Sequence, residues 1–255
     1  MAKQDCKLCG GTGWVVADTD GISAADRCTC VAESRATELE ARAQIPENYR
    51  RTSFDNFLVN QNNPIAERAL KTAWFEVNGY ASNFPFPSGK NGLLLVGPPG
   101  AGKTHLAIAA LRMLISRGFE GIFFDYQNLL NRIRSSYSET LGASDREAYR
   151  VALETEVLLL DDLGAHRVTD WVEDTVTAII TYRCNHRKPL IATTNLPDPN
   201  LGGATVEKTD LPGGHSYRTT LAERVGERAR SRLFEMCRVV NLWAVGDYRV
   251  KPPRT

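Results

Sequence analysis

The feature that most constrains this chain is residues 97–104, where four residues fit the pattern G-x-x-x-x-G-K-[ST]: Gly97, Gly102, Lys103 and Thr104. The pattern directly follows an apolar run, GLLLV, and directly precedes a helical pattern, the context that distinguishes a binding site from an unliganded Gly/Pro turn. Its glycines let backbone amides turn toward phosphate oxygens, and the helix N-terminus adds partial positive charge. Lys103 is expected to contact the β- and γ-phosphates, and Thr104 to ligate Mg²⁺. The sequence therefore predicts a nucleotide-binding stretch made of Gly97, Pro98, Pro99, Gly100, Ala101, Gly102, Lys103, Thr104 and His105.

Short apolar runs and helical patterns alternate along most of the chain. Five runs have the length of buried strands, at 92–96, 121–126, 157–161, 190–194 and 238–242. Helical patterns occur at 62–81, 103–117, 127–155 in two pieces, 169–187 and 219–236. This alternation predicts an α/β fold with a five-stranded parallel sheet and right-handed crossovers. The segment 196–218 is rich in turn formers and is predicted to be a surface loop.

Polar side chains follow two of the predicted strands. Asp161 ends the run VLLLD and Asp162 follows it, and ligands of open α/β sheets bind at this end of the strands. Asp161 suits Mg²⁺, directly or through water, and Asp162 is placed to orient or deprotonate an attacking water. Asn195 ends the next strand and is expected to approach the γ-phosphate or that water. The simpler alternatives are two acids at a strand-end turn and a turn residue before Pro197.

Composition excludes several classes of protein. The 31 Lys and Arg residues balance 30 Asp and Glu residues, so charge gives no general case for nucleic acid or an anionic membrane. A hydrophobic content of 42% is enough for a packed core. No apolar run approaches the ~20 residues of a membrane helix, and the first residues lack an apolar signal core. We therefore expect a soluble, cytoplasmic protein whose six cysteines are thiols or metal ligands.

Four of those cysteines form two close pairs near the start of the chain. Cys6 and Cys9 form C-x2-C, and Cys28 and Cys30 form C-x-C after 18 intervening residues. Four thiolates in two pairs suit tetrahedral zinc, which supplies stability that a 31-residue segment lacks. A redox pair, unstructured thiols and an iron–sulfur cluster are the alternatives. Cys184 and Cys237 lie in helical patterns and are expected to be buried apolar residues.

Arginines are concentrated near the end of the chain. The helical pattern 219–236 contains Arg224, Arg228, Arg230 and Arg232. Arg228 and Arg232 are four residues apart and share a face, as in a solvated helix or in one that completes a neighbour's phosphate site. Arg249 follows the last strand, where it is placed to approach phosphate in its own subunit. Spacing alone decides neither role.

Five segments in this order resemble the AAA+ ATPases of the bacterial DnaC/DnaI helicase-loader group, which includes IstB-type transposition helpers: GPPGAGKTH, VLLLDDLG, LIATTNL, ERARSRL and GDYR. The resemblance covers roughly 45–250 and implies a P-loop AAA+ core without a C-terminal helical lid. It further implies that Asn195 is the first sensor, Arg232 the arginine finger and Arg249 the second sensor arginine. Many related ATPases have Glu where this chain has Asp162, which puts the rate in question rather than the role.

The cysteine pairs and the polar helical stretch after them, together with the resemblance, predict the domains, and the resemblance implies the partners. Residues 1–31 are expected to be a zinc module, 32–57 a helical spacer and connector, and 58–255 the ATPase domain. The implied function is ATP- and Mg²⁺-dependent loading of a replicative helicase onto single-stranded DNA by an ATP-bound homo-oligomer. The leading alternative is an IstB-like ATPase that helps a transposase select target DNA. A zinc adaptor with a degenerate ATPase is disfavoured by the intact Lys103, Thr104, Asp161 and Asn195.

DNA contacts are predicted after the second strand of the sheet. Arg132, Arg134 and Tyr137 are candidates to line a groove for single-stranded DNA through charge and stacking. The alternative is an amphipathic helix with Leu129, Leu130 and Ile133 directed inward.

Overall fold

The computed structural model describes residues 2–19, 22–59, 63–135, 144–200, 203, 206–208 and 215–249 of the chain. These residues contain nine strands in chain order: β1 Trp14–Thr19, β2 Ile22–Arg27, β3 Gly92–Val96, β4 Gly121–Asp125, β5 Val157–Asp161, β6 Leu190–Thr194, β7 Val206–Lys208, β8 His215–Tyr217 and β9 Cys237–Asn241. Five of them pair in parallel in the order β4-β5-β6-β3-β9. The predicted five-stranded parallel sheet is therefore confirmed.

Helices cover both faces of this sheet: α1 Thr29–Arg42, α2 Pro64–Asn83, α3 Lys103–Ser116, α4 Tyr126–Ser135, α5 Ser144–Glu154, α6 Asp170–Asn185, α7 Leu221–Val225 and α8 Glu227–Met236. Asn63 caps α2, because its side-chain oxygen accepts a hydrogen bond from the Ile65 amide. Alternate residues of the strands enter two separate cores. One core contains α2 and α3, and the other contains residues of α4 to α8.

The strands β3, β5 and β6 are buried along their whole length, which explains why continuous apolar runs marked them in the sequence.

Three expectations from the sequence need correction. The helix predicted over 219–236 is divided into α7 and α8 at Gly226, whose φ of +84° lies outside the helical region. Cys237 is the first residue of β9 rather than part of a helix, although it is buried as predicted. The predicted loop 196–218 contains the two short antiparallel strands β7 and β8.

The N-terminal part contains an antiparallel hairpin, β1–β2, that the sequence did not predict. Helix α1 begins at Thr29, three residues before the predicted spacer helix, and it packs on the larger body. Glu40 forms an ion pair of 2.7 Å with Arg112 of α3, and the Ala43 carbonyl accepts a 2.8 Å hydrogen bond from the Phe123 amide. Among the residues described, no helix combines the length and apolarity needed to cross a membrane.

Candidate nucleotide and metal sites

The turn between β3 and α3 leaves no room for side chains at its glycines. Gly100 and Gly102 have φ values of +71° and +89°, which L-residues with side chains rarely adopt. A Cβ atom at Gly100 would lie 1.8 Å from Oδ1 of Asp247, and one at Gly102 would lie 2.8 Å from Cε2 of Phe57. Helix α3 starts immediately afterwards, at Lys103. The backbone of this loop is therefore open toward the start of a helix, as a phosphate-binding loop requires.

Lys103 is a buried cation whose hydrogen-bond partners are backbone carbonyls. Its side chain is 5% exposed, and Nζ donates to the carbonyl oxygens of Gly97 at 2.9 Å and Pro98 at 2.8 Å. Burial lowers its pKa below the usual value, and the nearby carboxylates of Asp162 and Asp161 act in the opposite direction. Exchanging these neutral carbonyl partners for an anionic phosphate oxygen would strengthen the hydrogen bonds of the ammonium group.

Asp161 lies at the end of β5, between two threonine hydroxyls. Thr104 Oγ1 donates to its carboxylate at 3.0 Å, and Thr193 Oγ1 donates to it at 2.6 Å. Burial raises the pKa of Asp161 to about 6, although both hydrogen bonds lower it. Thr104 and Asp161 together offer hydroxyl and carboxylate oxygens, which are the ligand types that Mg²⁺ prefers.

A cavity of about 390 Å³ contains most of the predicted nucleotide-site residues. Asp162, Asn195 and Arg249 line it together with the loop residues and Lys103. The segment that ends in Arg249 folds back over the loop, and the Tyr248 amide donates to the Gly100 carbonyl at 3.2 Å. Residues that are far apart in the sequence thus meet around one space, whose volume suits a small-molecule ligand.

The other half of this cavity was missed by sequence reasoning. Residues of the connector before α2 and of the core line it: Tyr49, Asn56, Phe57, Leu58, Leu70 and Val245. His105 joins the two halves, because its Nε2 lies 3.0 Å from the Ser53 carbonyl and its ring is 5.2 Å from that of Phe57. The aromatic residues of the connector were the only available signal for this wall.

The arginines of α8 lie apart from the cavity. Arg232 pairs with Glu235 at 2.5 Å, Arg228 is exposed, and neither is among the residues that line the cavity. Arg230 instead forms two hydrogen bonds, of 2.6 and 2.9 Å, with the buried carboxylate of Asp198. The roles predicted for Arg232 and Arg249 remain predictions, but only Arg249 shares the cavity with Lys103.

The candidate DNA contacts on α4 point to different neighbours. Arg132 lies 5.4 Å from the ring centre of Phe124, while Arg134 lies 5.1 Å from that of Trp171. Leu129, Leu130 and Ile133 are buried, as in the amphipathic alternative. Tyr137 falls outside the described residues.

The four N-terminal cysteines converge on one point. Cys6 Sγ and Cys28 Sγ are 3.7 Å apart, Cys9 Sγ and Cys30 Sγ are 3.6 Å apart, and all four sulfurs lie within 4.8 Å of one another. Four thiolates at ~2.3 Å around one tetrahedral ion would be separated by about 3.8 Å. Burial alone raises the pKa of Cys9, but amides of Gly13 and Gly11 lower it to about 6. The cluster therefore fits a single metal ion better than a cluster of several irons.

The fold and cavity define this chain as a P-loop nucleotide-binding protein of the α/β class. A family model described as IstB-like ATP binding protein matches residues 77–202. A crystal structure of the DnaC helicase loader is 32% identical, with a TM-score of 0.57, and the match covers 77% of this chain and 99% of that one. The chain belongs to the AAA+ group of DnaC/DnaI helicase loaders and IstB-like proteins, a family of P-loop ATP-binding proteins.

Two curated proteins illustrate the breadth of this group. The phage-like element PBSX protein XkdC of Bacillus subtilis strain 168 is 25% identical over 244 residues, which cover 92% of this chain and 80% of XkdC. The insertion sequence IS5376 putative ATP-binding protein of Geobacillus stearothermophilus is 28% identical over 165 residues, which cover 65% of this chain and 61% of that protein.

Proposed function

We propose that this chain is an ATP-dependent loader of a replicative DNA helicase onto single-stranded DNA, acting in the cytoplasm. The observation that carries the proposal is the convergence of Lys103, Thr104, Asp161, Asp162 and Arg249 on one cavity of a chain that is similar to a DnaC helicase loader. This set of groups is suited to bind a nucleoside triphosphate and to hydrolyse it, rather than only to bind a phosphate group.

The polar residues in and beside the cavity are assigned the parts of the proposed hydrolysis. Lys103 releases the carbonyls of Gly97 and Pro98 and binds the β- and γ-phosphates. Thr104 and Asp161 would hold Mg²⁺, which neutralises charge on the phosphate oxygens when bound. Asp162 orients or deprotonates the attacking water, with Asn195 and Arg249 beside the γ-phosphate.

The site is proposed to be completed by a second copy of the chain. Arg232 does not line the cavity of its own subunit, and its guanidinium would leave the ion pair with Glu235 to contact the nucleotide of a neighbour as an arginine finger. ATP binding would therefore favour a homo-oligomer, and hydrolysis would release it.

The N-terminal module is proposed to hold one zinc ion through Cys6, Cys9, Cys28 and Cys30. Sulfur–sulfur distances of 3.6 and 3.7 Å support this ligand set. We keep the proposed division into a zinc module at 1–31, a spacer and connector at 32–57 and an ATPase domain at 58–255. Arg132, Arg134 and Tyr137 remain the proposed DNA contacts.

A transposition helper is the second candidate, because an IstB-like family model and an insertion-sequence protein both match the chain. The decisive experiment uses tagged parent protein and its Lys103→Ala variant as baits in host extract, with mass spectrometry as the readout. Nucleotide-dependent enrichment of the replicative helicase, followed by loading of that purified helicase onto a single-stranded DNA circle, supports the loader. Enrichment of a transposase supports the alternative, and failure to load the helicase contradicts our proposal.

A further inference from the structure

One buried hydroxyl group connects the two acids of the nucleotide cavity. Thr193 lies on β6, next to β5, and is fully buried. Its Oγ1 donates to Asp161 Oδ1 at 2.6 Å and accepts a hydrogen bond from the Asp162 amide at 2.9 Å. The Thr193 side chain thus contacts both Asp161, the proposed Mg²⁺ ligand, and the backbone of Asp162, which is proposed to orient or deprotonate the attacking water.

The backbone around Asp162 shows why such a contact is needed. Asp162 has a φ of +54°, in the left-handed region that residues other than glycine rarely adopt. The next amide, of Leu163, donates to the Thr193 carbonyl at 2.8 Å. Thr193 therefore binds two successive amides of the turn, one through its side chain and one through its backbone. Held in this way, Asp162 is exposed in the cavity while Asp161 stays buried.

We propose that Thr193 is a positioning residue for the hydrolysis, whose hydroxyl fixes Asp161 for Mg²⁺ and the Asp162 backbone for the water step. This inference rests on the proposed ATPase activity and deepens it. A hydroxyl group can donate its proton to the carboxylate and accept the amide proton at the same time. Valine has the same shape without either capability, whereas serine has both.

The adjacent threonine provides a matched control. Thr194 is equally buried, but its Oγ1 donates to the Leu163 carbonyl and accepts from the Leu196 amide, so it touches neither acid. Removing the hydroxyl group at 194 costs the same kind of buried hydrogen bond on the same strand. A difference between the two variants therefore reports the contact with the acids rather than a loss of strand stability.

The test compares Thr193→Val, Thr193→Ser and Thr194→Val with the parent chain. Binding of a fluorescent ATP analogue is titrated with and without Mg²⁺, and kcat and KM of hydrolysis are measured alongside. We expect Thr193→Val to lower kcat roughly tenfold to a hundredfold and to lose most of the Mg²⁺-dependent gain in affinity, while Mg²⁺-free binding persists. Thr193→Ser should restore both properties, and Thr194→Val should retain the Mg²⁺ effect.

Equal losses in Thr193→Val and Thr194→Val, or no recovery in Thr193→Ser, would overturn the inference. An inactive parent chain would instead overturn the ATPase proposal, and the inference with it. If Thr193→Val does not fold, Thr193→Cys takes its place, because the thiol has similar volume and is only a weak donor. The Mg²⁺-dependent gain in affinity of Thr193→Cys should then be smaller than that of the serine variant but greater than zero. A gain equal to that of the parent chain would contradict the assignment.

Discussion

At the scale of single residues, Lys103 holds an unusual position for a lysine. It is almost fully buried, and the partners within hydrogen-bond distance of its Nζ are the carbonyls of Gly97 and Pro98. A strongly hydrated ammonium group is costly to bury, and burial accordingly lowers its pKa. The cost of burying this ammonium group is explained if Lys103 binds a phosphate, because a phosphate offers a full negative charge in place of two carbonyl dipoles.

The first prediction separates binding from hydrolysis within the cavity. Lys103→Ala removes the cation that meets the phosphates, so ATP affinity should fall by roughly a hundredfold or more. Asp162→Asn keeps the shape and the positive φ but removes the base, so ATP should bind while hydrolysis falls by about 10²–10⁴-fold. Titration calorimetry and phosphate release measure the two effects. Lys71→Ala, which affects an exposed lysine on α2, is the control, and equal ATP binding by Lys103→Ala and the parent would rule out the assignment.

Motifs alone selected residues that the structure brings together around one cavity. The loop 97–105, Asp161, Asp162, Asn195 and Arg249 all line or adjoin one cavity. Local spacing carries that information for most of these groups, because they directly follow a strand or begin a helix, whereas Arg249 lies eight residues after β9. The other wall, with Tyr49 and Phe57, could not be found in this way, since it depends on a connector packing against α3 from about 50 residues away in the chain.

At the scale of elements, the ion pair between Asp198 and Arg230 joins the loop after β6 to α8. Asp198 lies three residues after Asn195, and Arg230 lies on α8 between Arg228 and Arg232. The carboxylate is fully buried and also accepts a hydrogen bond from the Asn200 amide. Hydrogen bonds from Arg230, the largest effect, hold the pKa of Asp198 below its ordinary value. The pair therefore fixes α8 against the loop that follows β6.

The second prediction concerns the stability that this pair provides. Asp198→Asn should lower the free energy of unfolding by about 1.5–3 kcal/mol, because it leaves the Arg230 guanidinium with only the longer, 3.8 Å ion pair to Glu227. Because the folded pKa is lowered, the carboxylate's contribution is present above the unfolded pKa of about 3.9 and is lost as pH falls through the folded value. Denaturant unfolding at pH 7 and at acid pH measures both effects. Glu147→Gln, which breaks an exposed pair with Arg150, should change stability by less than about 1 kcal/mol; equal losses would contradict this account.

The cysteines beside the N-terminal hairpin form a second group whose proposed property, zinc binding, can be measured. The third prediction is one zinc ion per chain in freshly purified, reduced protein, measured by elemental analysis. Cys6→Ser or Cys28→Ser should lose the metal, because three thiolates leave the tetrahedral shell open, while ATP binding survives. Cys184→Ser, on α6, is the control that should keep the zinc. Absence of metal from the parent protein, or iron in place of zinc, would defeat the assignment.

The elements themselves differ in how far sequence predicts them. Strands β3, β5 and β6 have the predicted limits, because both faces are buried and every residue of each run is constrained. The hairpin β1–β2 gave no such pattern, because its Trp14 and Val16 are exposed and the small buried cluster beside it consists mainly of cysteines. The break at Gly226 was likewise hidden, because the apolar spacing continues through it.

At the scale of the whole molecule, the two halves of the proposed catalytic machinery are separated. The cavity contains Lys103, Asp162 and Arg249, whereas Arg232 lies on α8 and pairs with Glu235. Under the proposal, a single chain would bind ATP but lack the arginine finger that adds positive charge at the transferring phosphate. We propose that a second copy supplies Arg232, so that this chain is an ATPase only when it is assembled.

Mixing two inactive variants tests that claim most directly. Arg232→Ala retains an intact nucleotide cavity but lacks the finger, and Lys103→Ala retains the finger but lacks an intact cavity. Each variant alone should therefore hydrolyse ATP poorly, and the rate of the finger variant should fall by about 10³-fold or more. Phosphate release is measured after mixing, under conditions where hetero-oligomers are verified with differently tagged chains. We predict activity in the mixture that neither variant has alone, and no such recovery when Arg249→Ala replaces Arg232→Ala, because Arg249 lines its own subunit's cavity. An inactive mixture of Arg232→Ala and Lys103→Ala in verified hetero-oligomers would contradict the claim and move the finger to another residue, with Arg228 the next candidate.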